Sequence, residues 1–450
     1  MKRWLGLKMK IIVGVNDDFE QGTSCKPHVI VYGAGKCLIN HYKFLNENYF
    51  VEAIVDKNKR GQFGDVPIYG LEYLDSRTTQ NIIIMIENRD ICMNIANMLN
   101  STYGIPRANI VLGVNLVNYS DEGNCFKVGI MGCGGMASYM AIAILNMHQN
   151  IKVQACASRN QKKADEFAFK HGIEKAYGSY IDMLKDDEVD LIYIATPISE
   201  HYVNMKQCIE YRKNILCEKS FTINEVQAKE IFMLARDYSV YVAEAMTIRY
   251  HPIYTILKDI LHNGTIGEVL SVYASFNYKV DSLERIRNID LGGGALYELG
   301  VYNLNFMVSC LGYDIANIIA QCDKFEIGAD VYLMLIIQYK SGKTAELYCD
   351  TRCSGNNQGI VYGEKGYVVI DEINNPVKLS VYDNEKRLVA EYTSETKEPG
   401  LENEMMVAKK SIEEKRIECF ECSHEHTINI MKIMDKIRNQ IEIFCIGDYK

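Results

Sequence analysis

One glycine-rich segment limits what this chain can fold into more than any other feature. Residues 126–131 form a short apolar run, and the sequence Gly-Cys-Gly-Gly-Met-Ala follows at 132–137, before a helical pattern. In this context the spacing is G-x-G-x-x-A, in which the first glycine permits a tight turn and the second lets the backbone approach a pyrophosphate. The segment predicts a dinucleotide-binding turn; a purely structural turn is the alternative.

Short apolar runs alternate with helical segments on both sides of this turn, which is typical of a parallel sheet covered by helices. From about residue 266 the pattern changes to alternating strands separated by short turns, which indicates a largely antiparallel sheet. The predicted fold class is therefore α/β. We expect a small Rossmann-like domain over residues 1–120, a Rossmann dinucleotide-binding domain over 125–246, and an α+β substrate-binding and oligomerisation domain with an open sheet over 247–450.

A second glycine-rich turn lies in the first block and competes for a nucleotide. It contains Gly33 and Gly35 but has Leu38 where a third small residue is expected. Asp56 ends the next apolar run, at the place where an acid commonly binds a ribose hydroxyl. Two interpretations stay open: this domain binds a nucleotide, or it is a degenerate domain with a scaffolding role.

Composition excludes several classes of protein. Of 450 residues, 48% are apolar and 24% are charged, as in an ordinary globular protein. The formal net charge of −9, with no basic run, argues against nucleic acid as a partner. No apolar stretch reaches the length of a membrane span, and the N-terminal residues turn acidic too soon for a secretory signal. Fifteen scattered cysteines favour reduced thiols and a cytoplasmic enzyme.

One cluster near the C-terminus resembles a zinc site in its spacing. Cys419, Cys422, His424 and His426 give C-x-x-C-x-H-x-H, which are residue types that bind zinc. The two histidines follow the cysteines so closely that four-fold ligation would be cramped. We therefore predict no metal site and regard the cluster as part of the lead into the last helix.

The residues that would bind the cofactor lie in two places. The turn itself supplies Gly132, Gly134, Gly135, Met136 and Ala137. The next apolar run ends in Ser158-Arg159-Asn160, where an NAD enzyme commonly carries an acid. A cation beside a hydroxyl suits a 2′-phosphate, so we predict NADP in preference to NAD. In the alternative interpretation, Arg159 only begins the next helix in solvent.

Several motifs in order resemble the Gfo/Idh/MocA family of oxidoreductases, with the closest likeness to its dihydrodiol and xylose dehydrogenase branch. They read VGIMGCGGMA, ASRNQKKADEFA, YGSYIDML, DLIYIATPISEHY, NILCEKSFTIN, VAEAMTIRYHPIY, GTIGEV, LGGGALYELGVYNL and HTINIMKIMDKIRNQIEI. The first block more weakly resembles the small nucleotide-sugar-binding domain of bacterial sugar acyltransferases, through VIVYGAG, AIVDKN and GDVPIYG.

The resemblance implies a set of site residues. It places Thr196, Pro197 and His201 beside the nicotinamide. It implies that Glu218 and Lys219 bind the cofactor, with Lys219 also meeting the substrate hydroxyl. Tyr302 is implied to be the acid/base and to bind the substrate, and Glu298 lies four residues before it on the same helical face. Arg249 and Arg287 are implied to lie near the cofactor and the substrate. For either arginine, a structural ion pair is the alternative.

Three departures from the family pattern fall within these motifs. Ser220 stands where the family has proline, Glu298 where it has aspartate, and Met246 where an aromatic residue is common. None removes the chemistry. The charge of Lys219 is expected to favour the phenolate of Tyr302 and so to lower its pKa.

The predicted function is hydride transfer between NAD(P) and a sugar, polyol or cyclic diol, with the reactive carbon facing the nicotinamide at the carboxyl ends of the parallel strands. Two other classes stay open: an enzyme that cleaves glycosides through transient oxidation by NAD, and a non-catalytic nucleotide or sugar sensor. The expected partners are the small-molecule substrate and further copies of the chain in a homo-oligomer.

Overall fold

The structure is a computed structural model that describes residues 26, 28–75, 80–86, 89–106, 109–112, 125–147, 150–394 and 399–445. These residues form two compact units. The first consists of the described residues up to Cys125 with the segment Asp165–Lys175, and the second holds most of the remainder, including Ala176–Cys445.

The first unit is built on a six-stranded sheet with a largely buried strand near its centre. Its strand order is β3-β4-β2-β1-β5-β6, and all pairs are parallel except β3–β4. Val29, Ile30 and Val31 of the central strand are completely buried, as expected for a strand covered on both faces. The elements are β1 (His28–Tyr32), α1 (Lys36–Asn48), β2 (Phe50–Val55), β3 (Gly61–Phe63), β4 (Val66–Tyr69), a 3₁₀ turn (Leu71–Leu74), β5 (Ile82–Ile84), α2 (Arg89–Tyr103) and β6 (Ile110–Leu112).

A second six-stranded sheet follows, with the order β12-β11-β10-β7-β8-β9. Strand β7 lies between β10 and β8, in parallel pairing with both, so the chain reverses its winding direction there. A ligand of such a sheet binds at this reversal, outside the carboxyl ends of the strands. The elements are β7 (Phe126–Met131), α3 (Gly135–Asn146), β8 (Ile151–Ala157), α4 (Gln161–His171), β9 (Lys175–Tyr177), α5 (Tyr180–Leu184), β10 (Leu191–Ile194), α6 (Ile198–Glu210), β11 (Asn214–Glu218), α7 (Glu225–Tyr238) and β12 (Val242–Ala245).

The C-terminal region contains an eight-stranded sheet of order β14-β15-β16-β13-β17-β18-β19-β20, antiparallel except between β13 and β16. Its strands alternate buried and exposed residues, because one face is covered and the other is open. The strands are β13 (Val269–Asn277), β14 (Ile315–Gln321), β15 (Tyr332–Tyr339), β16 (Thr344–Asp350), β17 (Gly359–Gly363), β18 (Gly366–Asp371), β19 (Lys378–Asp383) and β20 (Leu388–Thr393).

The helices of this region include one irregular element that the sequence pattern does not predict. A π-helical turn, Leu296–Gly300, lies directly before the regular helix that begins at Val301. The helices are α8 (Thr247–Tyr250), α9 (Pro252–His262), α10 (Glu284–Arg287), a 3₁₀ turn (Ile289–Leu291), α11 (Val301–Leu311), α12 (Pro399–Glu413) and α13 (His424–Gln440).

The predicted fold class is confirmed: a parallel Rossmann sheet is followed by a largely antiparallel open sheet. Among the helices that the structure describes, none is long and apolar enough to cross a membrane.

Candidate active site

The glycine-rich turn between β7 and α3 has the backbone that its sequence predicts. Gly132 adopts a positive φ of 97°, and a Cβ there would lie 2.7 Å from the carbonyl oxygen of Ala195. Only glycine fits this close approach. Gly134 precedes the first turn of α3, and a Cβ on Gly134 or Gly135 would have no described heavy atom within 4 Å.

This turn fits the pyrophosphate of a dinucleotide. The first turn of α3 contains no acidic side chain, so its amide groups present an uncompensated positive end. Ala137 is fully buried, which lets the helix pack closely on the sheet, whereas Met136 is 38% exposed. The open backbone at Gly134 and Gly135 leaves room for an anion.

Ser158 and Arg159 follow the carboxyl end of β8. Ser158 is buried, and its hydroxyl accepts a hydrogen bond from the amide of Asn160. The Arg159 side chain is 72% exposed and lies 4.0 Å from a carboxylate oxygen of Glu200, a loose pair at the surface. The guanidinium is therefore accessible to a ligand phosphate.

The loop after β10 is held by hydrogen bonds from α6. Asn204 donates to the hydroxyl of Thr196 at 2.9 Å, and Pro197 caps the helix. His201 is buried, with Nε2 2.9 Å from the carbonyl oxygen of Thr196 and Nδ1 3.0 Å from that of Ser220. Burial lowers the pKa of His201 to about 4. A neutral ring has one N–H, so His201 donates to one of these two carbonyl oxygens and only faces the other. It lies buried between the two loops rather than presenting a proton to a substrate.

Glu218 and Lys219 end strand β11 and point to different partners. Glu218 is buried and accepts hydrogen bonds from the hydroxyl of Tyr193 and the amide of Lys219. The Lys219 ammonium donates to the Glu298 carbonyl oxygen at 2.9 Å and to its carboxylate at 3.3 Å. The peptide bond between Lys219 and Ser220 is cis.

Glu298 joins two cations. Besides Lys219, the guanidinium of Arg285 donates to both Glu298 carboxylate oxygens at 2.9 Å, a bidentate pair. Burial by itself would raise the pKa of Glu298, but the charges of Lys219 and Arg285 lower it to about 2. The carboxylate stays ionised at neutral pH and fixes the direction of the Lys219 ammonium.

The glycine triplet before the π-helical turn explains how Arg285 reaches this carboxylate. A Cβ on Gly293 would lie 2.5 Å from the carbonyl oxygen of Arg285, so the two backbones touch. Gly294 has a positive φ of 118° and faces Asp330, whose carboxylate accepts from the amide of Leu296. The triplet is therefore required by sterics at this point of the fold.

Tyr302 lies on α11 beside the Lys219 ammonium, which is 5.2 Å from the centre of its ring. Phe276 packs edge-on against this ring, with 5.2 Å between the ring centres. The pKa of Tyr302 is raised well above its ordinary value, by burial and then by the carboxylates of Glu218 and Glu298. The prediction that Lys219 lowers this pKa is therefore wrong for the free protein, because burial and the carboxylates of Glu218 and Glu298 raise it. The Lys219 ammonium is itself paired with Glu298.

The two departures at Ser220 and Met246 fall at buried positions. Ser220 is fully buried, and its hydroxyl donates to the carbonyl oxygen of Tyr297 at 2.9 Å, a bond that proline could not make. This bond ties the loop after Lys219 to the π-helical turn. Met246 is fully buried at the start of α8.

The two arginines predicted near the ligands have protein partners in this structure. Arg249 donates to the hydroxyl of Ser309 at 2.8 Å and to the carbonyl oxygen of Glu421 at 2.9 Å. The Arg287 guanidinium lies 5.5 Å from the ring centre of Phe325. Their roles toward cofactor and substrate stay predictions. Arg285, two residues before Arg287 in the same segment, is the arginine that pairs with Glu298. This position is the only feature of the sequence that could have indicated its role.

The four residues of the C-terminal Cys/His cluster bond to separate parts of the protein. The Cys419 thiol donates to the Cys422 carbonyl oxygen, His424 faces the carbonyl oxygen of Val242 and stacks on a phenyl ring, and His426 contacts Asn305. Within the described ranges, no three His, Cys, Asp or Glu side chains are grouped as a metal site.

In the first unit, Asp56 is used by the protein itself. One carboxylate oxygen accepts from the amide of Ala34 at 2.8 Å, and the other accepts from the amides of Asn58 and Lys59. The Lys59 ammonium donates to the Ala34 carbonyl oxygen. Burial would raise the pKa of Asp56, but these backbone amides lower it. The carboxylate that is a candidate for binding a ribose holds the turn in this structure, and nucleotide binding by the first unit stays a prediction.

Comparisons with known proteins identify the family to which the second and third predicted domains belong. Residues 126–246 match the oxidoreductase family with an NAD-binding Rossmann fold, and residues 254–369 match the GFO/IDH/MocA C-terminal domain. Trans-1,2-dihydrobenzene-1,2-diol dehydrogenase of Xenopus tropicalis is 31% identical over 274 residues, which are 60% of this chain and 82% of the relative. The mouse enzyme of the same name is 30% identical over 57% of this chain and 78% of its own length.

Solved structures show the same fold. KijD10, a 3-ketoreductase from Actinomadura kijaniata determined with NADP and TDP-benzene, aligns with a TM-score of 0.64 and 22% identity over 72% of this chain and all of its own. An NAD-binding oxidoreductase from Klebsiella pneumoniae aligns with a TM-score of 0.62 at 20% identity, over 71% of this chain and 97% of its own.

Both domains of the family are matched in order, and the relatives are covered over most of their length. The glycine turn and the Lys219–Glu298–Tyr302 group lie within the matched residues. On these grounds the chain belongs to the Gfo/Idh/MocA family of NAD(P)-dependent oxidoreductases.

Proposed function

We propose that this protein transfers a hydride between NADP(H) and a secondary alcohol carbon, or the matching ketone, of a ring-shaped sugar, polyol or diol. One observation carries the proposal. The Lys219 ammonium is held by Glu298 and lies beside the ring of Tyr302, within residues that follow an open dinucleotide-binding turn. A cation and a phenol side by side are suited to moving one proton on and off a substrate oxygen.

The nicotinamide, when bound, supplies the hydride chemistry, and the side chains of this chain handle the proton. Tyr302 is a neutral phenol at neutral pH because burial and nearby carboxylates raise its pKa. Its Oη is therefore a proton donor to a carbonyl oxygen during reduction. For oxidation the phenol must first lose its proton to solvent, and the phenolate then accepts the hydroxyl proton of the substrate. A high pKa makes the donor form abundant, and it makes the phenolate a strong base when it forms.

Lys219 orients the substrate oxygen. An ammonium has three donors, and two are directed to the carbonyl and the carboxylate of Glu298. The third remains for the substrate oxygen. Arg285 does not touch that oxygen in this proposal; it holds Glu298 in place, and Ser220 fixes the loop that carries Lys219. Thr196, Pro197, His201 and Glu218 shape the nicotinamide side.

We further propose NADP as the preferred cofactor. Arg159 is exposed at the carboxyl end of β8, next to the buried hydroxyl of Ser158. A guanidinium with a hydroxyl beside it recognises a phosphate through charge-assisted hydrogen bonds. An acid at this place would repel the phosphate, and neither residue is acidic.

The names of the relatives guide the choice of substrate. The curated relatives are dehydrogenases of a cyclic trans-diol, and one structural neighbour is a ketoreductase solved with NADP and a nucleotide-linked compound. These names support a vicinal diol or hydroxyketone on a ring as the substrate class for this chain.

Assembly and location complete the proposal. Ile319 and Ile336 are register partners on neighbouring strands, and both are exposed on the open face of the large sheet, together with Leu270 and Met334. An exposed apolar sheet face of this kind suits a homo-oligomer interface. The cysteines of the described residues are free thiols, which supports a reducing, cytoplasmic environment.

A substrate panel tests the proposal. Cyclic trans-diols, aldoses and polyols are offered with NADP⁺, and the matching ketones with NADPH, while the absorbance of the reduced nicotinamide is followed. We expect substrate-dependent formation or loss of NADPH. Turnover of glycosides without net change in NADPH would favour the glycoside-cleaving class instead. Binding of cofactor without turnover of any substrate would favour a sensor.

A further inference from the structure

The guanidinium of Arg285 has more donors than its protein partner uses. It donates to both carboxylate oxygens of Glu298 at 2.9 Å, which uses two of the five N–H groups of an arginine. Among the residues that the structure describes, Glu298 is the one side chain that accepts from it. The Arg285 side chain is 50% exposed. Three N–H groups are therefore available to a group that arrives from solvent.

Lys219, Glu298 and Arg285 form a row that runs from the interior to solvent. The Lys219 side chain is 10% exposed and that of Glu298 is 18% exposed, against the half-exposed arginine. Lys219 and Arg285 donate to the same Glu298 oxygen, Oε2, at 3.3 Å and 2.9 Å, so their nitrogen atoms lie within about 6 Å of each other. At ordinary bond lengths this distance is comparable with the span of a six-membered ring and its substituents. One ring-shaped substrate can therefore contact both cations.

The exposed end of this row is positive. Its two cations share one carboxylate, whereas the chain as a whole has a formal net charge of −9. The other carboxylate of the site, Glu218, is buried and accepts from the hydroxyl of Tyr193 and the amide of Lys219. Glu284 precedes Arg285 on α10, but adjacent side chains on a helix do not face each other. An anion beside Arg285 thus gains charge-assisted hydrogen bonds.

The position of Arg285 is fixed before any ligand binds. A Cβ on Gly293 would lie 2.5 Å from the Arg285 carbonyl oxygen and 2.6 Å from that of Ile286, so the glycine triplet packs against the backbone of α10. Glu298 holds the other end of the side chain through its bidentate pair. A guanidinium held in this way loses little conformational freedom when it binds an anion.

We propose that Arg285 binds an anionic substituent of the substrate, a carboxylate or a phosphate, while Lys219 orients the oxygen that reacts. The inference rests on the proposed function, because it requires a substrate oxygen at Lys219. It narrows the substrate class from ring-shaped diols in general to sugar acids and sugar phosphates. The planar guanidinium suits either anion, since carboxylate and phosphate oxygens both match its fork of donors.

The anion uses donors that Glu298 leaves unoccupied. Glu298 therefore keeps its hydrogen bond with Lys219, and Tyr302 handles the proton as it does with a neutral substrate. Binding energy gained at Arg285 positions the ring against the nicotinamide and takes no part in the transfer itself.

Pairs of substrates that differ only in charge test the inference on the full-length protein. Glucuronate is compared with glucose and galacturonate with galactose, and glucose 6-phosphate provides the phosphate arm. We measure kcat/KM with NADP⁺ at low and high ionic strength. We expect the anionic member to exceed the neutral one by about tenfold or more at low salt, and the advantage to shrink at high salt, because salt screens a half-exposed cation. The two arms distinguish a carboxylate from a phosphate.

Arg285→Gln is the test variant, and Lys279→Gln is the matched control. Lys279 lies in the same segment, but its ammonium donates to the carbonyl oxygen of Arg352 and pairs with Asp281. Arg285→Gln also loosens Glu298, so turnover of neutral substrates falls as well, and the ratio of anionic to neutral kcat/KM isolates the recognition of charge. We expect this ratio to fall about tenfold in Arg285→Gln, to be largely kept in Arg285→Lys, and to be unchanged in Lys279→Gln.

Equal kcat/KM for the charged and neutral members of every pair in the wild-type protein would overturn the inference and leave the proposed function intact, and this result depends on no variant. A fall of both members by the same factor in Arg285→Gln would show that Arg285 only holds Glu298. A raised KM for NADP⁺ with an unchanged ratio would assign the guanidinium to the cofactor. Absence of turnover with any substrate, charged or neutral, would overturn both the inference and the proposed function.

Discussion

The two glycine-rich turns of this chain have similar sequences, but the side chains around them have different bonding partners. In the first unit, the carboxylate of Asp56 and the ammonium of Lys59 bond to the backbone of Ala34, within the turn. In the turn at Gly132, the next strand is followed by Ser158 and Arg159 instead of an acid, and the Arg159 side chain is 72% exposed. The comparison teaches that the pattern G-x-G specifies a turn with similar backbone sterics in both units, whereas the side chains at the end of the next strand decide which charge lies beside the turn.

The largest expected difference between the two regions is in how a substitution changes kcat. Tyr302→Phe removes only a hydroxyl, so we expect the fold and cofactor binding to survive while kcat falls about a hundred-fold or more, the usual scale for general acid–base catalysis. Tyr32→Phe, the matched change at the end of β1, should leave kcat unchanged. Steady-state kinetics on the best substrate of the panel measures both. Near wild-type kcat in Tyr302→Phe would exclude Tyr302 as the acid/base.

Tyr302→Phe also tests how the rate of alcohol oxidation depends on pH. Because the pKa of Tyr302 is raised, the phenolate needed for alcohol oxidation becomes abundant only at high pH. We expect kcat/KM for oxidation to keep rising with pH, without a plateau below the ordinary tyrosine value of about 10. The rise should be absent in Tyr302→Phe. A plateau near neutral pH in the wild-type profile would contradict the raised pKa.

Cofactor choice gives the next effect. Arg159→Asp removes a charge-assisted phosphate contact and adds repulsion, so the preference should move from NADP toward NAD. A contact of this kind contributes roughly 1.5–3 kcal/mol, or about ten- to a hundred-fold in the ratio of kcat/KM values. Arg60→Asp, in the loop after Asp56 in the first unit, is the control and should leave the ratio unchanged. A wild-type protein that already prefers NAD would refute the assignment.

Backbone sterics give a smaller effect. Gly132→Ala places a Cβ 2.7 Å from the carbonyl oxygen of Ala195 at a positive φ. Strain of this kind costs about 1–3 kcal/mol, so cofactor affinity should fall by roughly tenfold. Gly35→Ala is the comparison, because its Cβ would meet no described heavy atom within 4 Å and its φ is −98°. Fluorescence titration with NADPH separates the two; equal affinities would show that the turn at Gly132 tolerates a side chain.

The smallest effect on activity is expected at Asp56. Asp56→Ala leaves the buried Ala34 amide without its acceptor, which costs about 1–3 kcal/mol of unfolding free energy in the first unit. Redox activity should not change. Because the pKa of Asp56 is lowered, its stabilisation is present at neutral pH and is lost as pH falls below about 4. Hydrogen exchange across the first unit measures this; a loss of NADPH turnover in Asp56→Ala would tie that turn to catalysis.

The order of elements could be predicted from the sequence because it depends on local patterns. The apolar run before Gly132, the alternating strands after residue 266 and the last helix all follow from periodicity and turn residues. The roles of Lys219 and Tyr302 came from resemblance to a family, since a lysine and a tyrosine in a chain with 30 tyrosines carry little meaning alone.

Other parts of the site could not be predicted, because they depend on groups distant in sequence. Arg285 rather than Arg287 reaches Glu298. The π-helical turn at Leu296–Gly300 and the close backbone contact between Gly293 and Arg285 determine which of the two arginines lies beside the Glu298 carboxylate. The raised pKa of Tyr302 depends first on burial and then on the charge of Glu218, which comes from strand β11.

The sequence by itself determined where this chain turns, which segments become strands, and that Gly132 must be glycine, because these depend on local sterics and periodicity. Only the tertiary structure decided which charges meet. Asp56 holds its own turn, and Lys219 and Arg285 share the carboxylate of Glu298, because electrostatic energies depend on distance and burial, which are fixed by packing between segments far apart in the chain.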